Sequence, residues 1–112
     1  MTNPSKRDIA AKKVVARARA ILADQIGFSV GCQRLDRALY WLSPYETDLP
    51  TITHEYLRAV EGLPIGSERL LWEREALREK DAVLESVNQN FRGRILETCW
   101  ILIDRFEKSK NI

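Results

Sequence analysis

This 112-residue chain has few of the residues that build catalytic and metal sites. It contains one histidine, His54, and only two cysteines. A single histidine excludes paired-histidine zinc sites, and the Glu-x-x-His pairs of di-iron bundles are also missing. His54 and Glu55 begin like a zinc-protease helix, but Arg58 stands where the second histidine is needed. The sequence therefore predicts no metal ion and no other cofactor.

Cysteine and glycine are equally uninformative about catalysis. Cys32 and Cys99 lie on apolar helical faces, where a free thiol behaves as a small buried hydrophobe. We expect two reduced core thiols, with a disulfide or a nucleophile as less favoured alternatives. The stretch from Gly62 to Gly66 lacks the lysine and the preceding strand that a phosphate-binding loop needs.

Long hydrophobic runs are absent as well. No stretch reaches the roughly 18 apolar residues of a membrane span, and the first residues lack the apolar core of a secretory signal. These two absences predict a cytoplasmic protein that does not contact a membrane.

The net charge of +2 is too small for a strongly basic nucleic-acid binder, but it is unevenly distributed. Residues 1–40 hold eight basic and three acidic residues, and the remainder holds ten basic and thirteen acidic. A solvated basic helix explains this best, with a docking face or an antiparallel dimer as alternatives. Nucleic acid is not expected as a partner, because no aromatic residues interleave with the basic ones.

The residues that are plentiful follow helical spacing. Ser5 and Asp8 resemble a capping box at the start of an apolar pattern that Ser43 and Pro44 end. No segment alternates apolar and polar residues, so no sheet is expected. The sequence predicts an all-α fold, a small helical bundle forming one domain over residues 1–112. Its expected elements are two long helices, about 5–42 (bent or broken near Gly27) and about 74–108, and short helices near 51–61 and 67–72.

The most apolar segment runs from Ile95 to Phe106. As a helix it carries one apolar stripe and, beside it, a second stripe of Leu96, Trp100 and Ile103, so most of its circumference must be covered. Either the chain's own helices or a second copy can do this, and the monomer core is slightly favoured. Gly27 and Gly31 would form a smooth patch for a close helix contact. The candidate interface residues are therefore Gly27, Gly31, Leu96, Trp100 and Ile103.

One group of polar residues offers a different function. Glu46, Asp48 and His54 fall in a predicted loop and helix start, and with Arg69 they could line the pocket of a small enzyme or ligand-binding protein. Turn and capping chemistry explains the same residues without a pocket and is favoured.

Two segments resemble a known family. Ile26-Gly27 with Gly31 and Leu35 is one, and Leu63-Pro64-x-Gly66-x-x-Arg69-x-x-Trp72-x-x-Glu75-Ala76-Leu77 is the other. Together they resemble a family of short, uncharacterised bacterial proteins that are all helical. The family's acidic run before Leu-Pro is replaced here by Val60-Glu61-Gly62. The resemblance implies a helical bacterial protein with a defined turn at 63–72, and it implies no activity.

The function expected from these features is a small non-catalytic interaction or regulatory protein that acts through helix packing as a homodimer or with another protein partner. The enzyme or ligand-binding protein with a polar pocket remains the alternative.

Overall fold

The computed structural model describes residues 4–107, and this part of the chain contains helices and no β-strand. The helices are α1 (Lys6–Leu22), α2 (Phe28–Leu42), α3 (Ile52–Ala59) and α4 (Arg74–Glu107), with a short 3₁₀ helix at Ser67–Leu71. The predicted all-α fold with a long C-terminal helix is confirmed. The last predicted residue of that helix, 108, lies outside the described residues.

The predicted first long helix is broken into α1 and α2. Ser5 caps α1, since its hydroxyl accepts a hydrogen bond from the Asp8 backbone N–H at 3.1 Å. After Leu22 the chain turns through Asp24, whose φ of 55° lies in the left-handed region. The two helices then pack against each other as a hairpin. The break between the two helices ends at Gly27, which is the N-cap of α2.

The length of α4 sets the shape of the molecule. A helix of 34 residues is roughly 51 Å long, close to the 56 Å length of the whole fold. The radius of gyration is 15.7 Å, whereas a compact domain of this size has about 13 Å. The chain is elongated because α1, with 17 residues, covers only part of α4.

The core is concentrated at one end of α4. We call Asn88–Glu107 the proximal half and Arg74–Val87 the distal half of this helix. The proximal half contributes four buried apolar side chains to the same core cluster as those of α1 and α2, and α4 itself lies against α1 and α3. The distal half contains no fully buried residue, although Leu84 and Val87 touch the edge of the core. The buried side chains of the proximal half are Ile95, Cys99, Leu102 and Phe106.

Helix α3 is fixed across the bundle by Tyr56. Its hydroxyl donates a hydrogen bond to Asn88 Oδ1 at 2.5 Å and accepts one from the Ser29 hydroxyl at 2.6 Å. Its ring meets Phe28 and Phe91 edge to face, with centroids 5.3 and 5.6 Å away. One side chain therefore joins α2, α3 and α4 at the boundary between the two halves of α4.

Candidate functional site

Glu46 lies in a cluster of charges at the proximal end of α4. Arg7 Nε donates to Glu46 Oε1 at 2.7 Å, and Arg105 Nη2 lies 3.3 Å from Oε2. Arg105 also donates to the carbonyl oxygens of Thr47 and Asp48. The pKa of Glu46 is lowered, mainly because Arg7 hydrogen-bonds to its carboxylate. This cluster ties α1 and the loop after α2 to the end of α4, which is a structural role.

Arg69 belongs to a separate cluster. Its guanidinium donates to both oxygens of Asp81, at 2.7 and 2.9 Å, and to the Pro64 carbonyl at 3.0 Å. The pKa of Asp81 is lowered, mainly by this hydrogen bonding. Asp81 and Arg105 are 24 positions apart on one helix, which corresponds to roughly 36 Å.

The predicted pocket of Glu46, Asp48, His54 and Arg69 is therefore not assembled. Glu46 and the Asp48 carbonyl share the arginine at the proximal end, whereas Arg69 is held near the distal end. His54 is exposed on α3. The structure does not bring the four residues together, because Arg69 follows a turn that carries it toward the distal end of α4, where it binds Asp81.

The two cysteines and Tyr56 in the core stay protonated at neutral pH. Burial raises the pKa of Cys32 to about 12 and that of Cys99 to about 11, so both thiols are protonated at neutral pH. Both are free, as the sequence predicted. Burial also raises the pKa of Tyr56 to about 12. None of these groups is prepared to act as a nucleophile or a base at neutral pH.

The two glycines of the predicted interface do not form a surface patch. Gly31 is buried, and a Cβ atom built on it would lie 2.8 Å from Ile21 Cγ1 and 3.2 Å from Ile26 Cγ2. The close contact predicted for this glycine is therefore made within the chain, at the turn between α1 and α2. Gly27, the N-cap of α2, is exposed, so only one of the two glycines reaches the surface.

The second apolar stripe on α4 is divided between core and solvent. Leu96 and Ile103 are half-buried and pack against the core, whereas Trp100 is 63% exposed. The favoured prediction of a core position is thus wrong for Trp100. Its indole borders an open cavity of about 620 Å³ with Leu22 and Ile103, between the end of α1 and α4.

Within residues 4–107, the most exposed large apolar side chains are ones that the sequence did not single out. Leu70 and Leu71, in the 3₁₀ helix next to the distal half of α4, are each 88% exposed. An adjacent pair of leucines in a short turn is the only sequence signal, and spacing alone does not tell an exposed pair from a buried one.

A second missed surface is the outer face of α2. Tyr40 and Trp41 are 69% and 61% exposed. Arg37 lies about one helical turn before them and Arg34 about two turns before them. The sequence predicts no nucleic-acid partner, because aromatic residues do not interleave with the basic ones along the chain. On the folded helix, Tyr40 and Trp41 lie one turn beyond Arg37 and on the same face as the two arginines.

Within residues 4–107 no group of three or more His, Cys, Asp or Glu side chains is arranged to hold a metal ion. In the same range, every helix is too short or too polar to cross a membrane. No family model, curated protein or solved structure matches this chain. The resemblance to short helical bacterial proteins therefore stays a prediction.

Proposed function

We propose that this chain is a small non-catalytic interaction protein that forms a homodimer by helix packing. The contact is made by the distal half of α4 and the adjoining leucines of the 3₁₀ helix. The observation that carries the proposal is the 88% exposure of both Leu70 and Leu71 beside a 14-residue length of helix without a buried side chain. Exposed apolar side chains grouped in this way are typical of interaction sites.

The distal half of α4 has an apolar row that its own chain leaves partly open. Ala76, Val83 and Val87 recur at spacings of seven and four, so they lie on one side of the helix. Val83 is about half exposed, and Ala76 and Val87 are half-buried. A helix of this kind gains stability when a second apolar row covers it.

The charges beside this row favour a second copy of the same chain. Glu79 and Lys80 stand next to each other at its centre, so the surface carries both signs. An antiparallel pair of α4 helices with its two-fold axis between these residues places Glu79 of one copy opposite Lys80 of the other. The same axis places Ala76 opposite Val83. A surface that complements itself in this way gives a closed dimer.

Size exclusion with light scattering tests the proposal. We expect a mass of about twice 12.9 kDa for the native chain and a monomer for the double variant L70E/L71E with unchanged helicity. The control is I101E, which adds charge at an exposed apolar position of the proximal half and should leave the dimer intact. A monomeric native chain at about 100 μM, well above the micromolar range of ordinary interfaces, would refute the proposal.

A charge exchange tests the antiparallel arrangement. E79K and K80E should each weaken the dimer, because each puts like charges at the two-fold axis, and the double variant E79K/K80E should restore it. A dimer that survives L70E/L71E but is lost in W100E would place the contact on the proximal half, as the sequence predicted.

A further inference from the structure

The outer face of α2 carries positive charge without any carboxylate. Its exposed side chains are Gln33, Arg34, Arg37, Tyr40 and Trp41. The only acidic residue of this helix, Asp36, is turned toward α3, where it accepts a hydrogen bond from the Thr53 hydroxyl at 2.9 Å. The face therefore presents two guanidinium groups and two aromatic rings to solvent.

Arg17 of α1 extends this charge across the groove between α1 and α2. One cleft, of about 230 Å³, is bordered by Arg17, Gly31 and Arg34. A second cleft, of about 380 Å³, lies on the other side of α2 and is bordered by Arg34, Arg37 and Ser67. Because Arg34 borders both clefts, the three arginines form one continuous basic track. Glu68 stands beside the second cleft, but its carboxylate already accepts the Ile65 backbone N–H.

The arginines of this track do not take part in the contacts that hold residues 4–107 together. Among the described residues, no hydrogen bond, ion pair or ring contact involves the side chain of Arg17, Arg34 or Arg37. The bundle uses other arginines for its structure: Arg7 and Arg105 bind Glu46, and Arg69 binds Asp81. Three neighbouring cations that the fold does not need are available to an anionic ligand.

The aromatic rings follow the arginines along the same face. Arg34, Arg37 and Trp41 lie in one row, spaced by three and four residues over roughly 10.5 Å of helix. Tyr40 stands beside Trp41, with ring centroids 5.5 Å apart and planes at 79°. Both side chains remain more than half exposed, so their rings can meet a flat ligand.

We infer that the α2 face binds single-stranded nucleic acid. Its phosphates lie along Arg17, Arg34 and Arg37, and its unpaired bases stack on Tyr40 and Trp41. A basic track combined with exposed aromatic rings is how proteins bind single strands without reading their sequence. Trp, Tyr and Arg also anchor protein interfaces, so an acidic protein is the competing ligand that the polyglutamate measurement below tests.

Fluorescence anisotropy with labelled oligothymidylate and oligouridylate of about 15 nucleotides tests this inference. Three phosphate contacts predict that log K falls with log salt concentration with a slope of about −2. R34Q/R37Q should weaken binding at low salt at least about tenfold and reduce the slope to about −0.7. Y40A/W41A should weaken binding about fivefold or more and leave the slope unchanged.

The control variant K12Q/R58Q also removes two exposed cations, but from α1 and α3 outside this face, and it should bind like the native chain. Circular dichroism shows whether each variant is folded. Tighter binding of oligothymidylate would identify the ligand as DNA, and tighter binding of oligouridylate would identify it as RNA.

Three results would overturn the inference. The first is no binding of either oligonucleotide at low salt. The second is equal binding of a duplex that does not depend on Tyr40 and Trp41. The third is tighter binding of polyglutamate than of both oligonucleotides, which would make the face a site for an acidic protein.

Discussion

The proximal half of α4 buries five side chains, whereas the distal half of the same helix buries none. The proximal turns contribute to the core that α4 shares with α1 and α2, and each large apolar side chain buried there stabilises the fold by about 1.5–3 kcal/mol. The distal turns depend on their own backbone hydrogen bonds, on the edge contacts of Leu84 and Val87, and on the Arg69–Asp81 pair. The comparison shows that an unbroken helix can belong to the core at one end and remain largely uncovered by its own chain at the other.

Truncating one leucine in each half measures how differently the two halves contribute to stability. Leu102 is buried in the proximal half, so L102A should lower the free energy of unfolding by about 2–5 kcal/mol. Leu77 in the distal half is only half-buried, so L77A should cost no more than about 1 kcal/mol. Urea unfolding followed by circular dichroism measures both. Equal losses would mean that the distal half is packed as tightly as the proximal half.

Removing the hydroxyl of Tyr56 tests the boundary between the halves. Y56F leaves the buried Ser29 hydroxyl and Asn88 carbonyl oxygen without their partner, so it should lower the free energy of unfolding by about 1–3 kcal/mol. Y40F makes the same chemical change at an exposed ring with no hydrogen bond among the described residues, and it should have almost no effect. If the two variants unfold alike, Tyr56 does not fix α3 through its hydroxyl.

Acid sensitivity compares the charged clusters at the two ends of α4. Glu46 and Asp81 both have lowered pKa values in the folded state, so the stability that each provides is present above its unfolded pKa and lost as pH falls through the folded value. The Tm of the E46Q variant should therefore fall less between pH 7 and pH 3 than the Tm of the native protein. D81N should reduce this fall by a smaller amount, because Asp81 holds only the turn at Arg69, whereas Glu46 joins three segments.

These changes in Tm should be the smallest of the three effects, because both carboxylates are accessible to solvent and salt. Tm profiles of E46Q and native protein that run parallel would contradict the structural role of the Glu46 cluster.

Much of the fold could be predicted from the sequence, because helix signals are local. The Ser5 cap, the stop at Pro44 and the apolar spacing from Ile95 to Phe106 each determine structure within a few residues. The break between α1 and α2 was left open, because a glycine at position 27 fits both a bend and an interruption. The left-handed turn at Asp24 settles it, and no spacing rule identifies that residue.

The surfaces were less predictable, because exposure depends on which helix covers which face. Trp100 has the same helical spacing as a core residue, yet α1 does not extend over it. Arg69 is close to His54 in sequence, yet the Leu63–Trp72 turn directs it to Asp81. In both cases the missing information was the relative position of helices, which depends on contacts between residues far apart in the chain.

Gly31 limits which substitutions the corner between α1 and α2 can accept. A Cβ atom there would lie 2.8 Å from Ile21 Cγ1 and 3.2 Å from Ile26 Cγ2, so a larger residue at position 31 requires these isoleucines to shift or to be replaced by smaller residues. The tight corner between the two helices therefore couples the choice of residue at position 31 to the choices at positions 21 and 26.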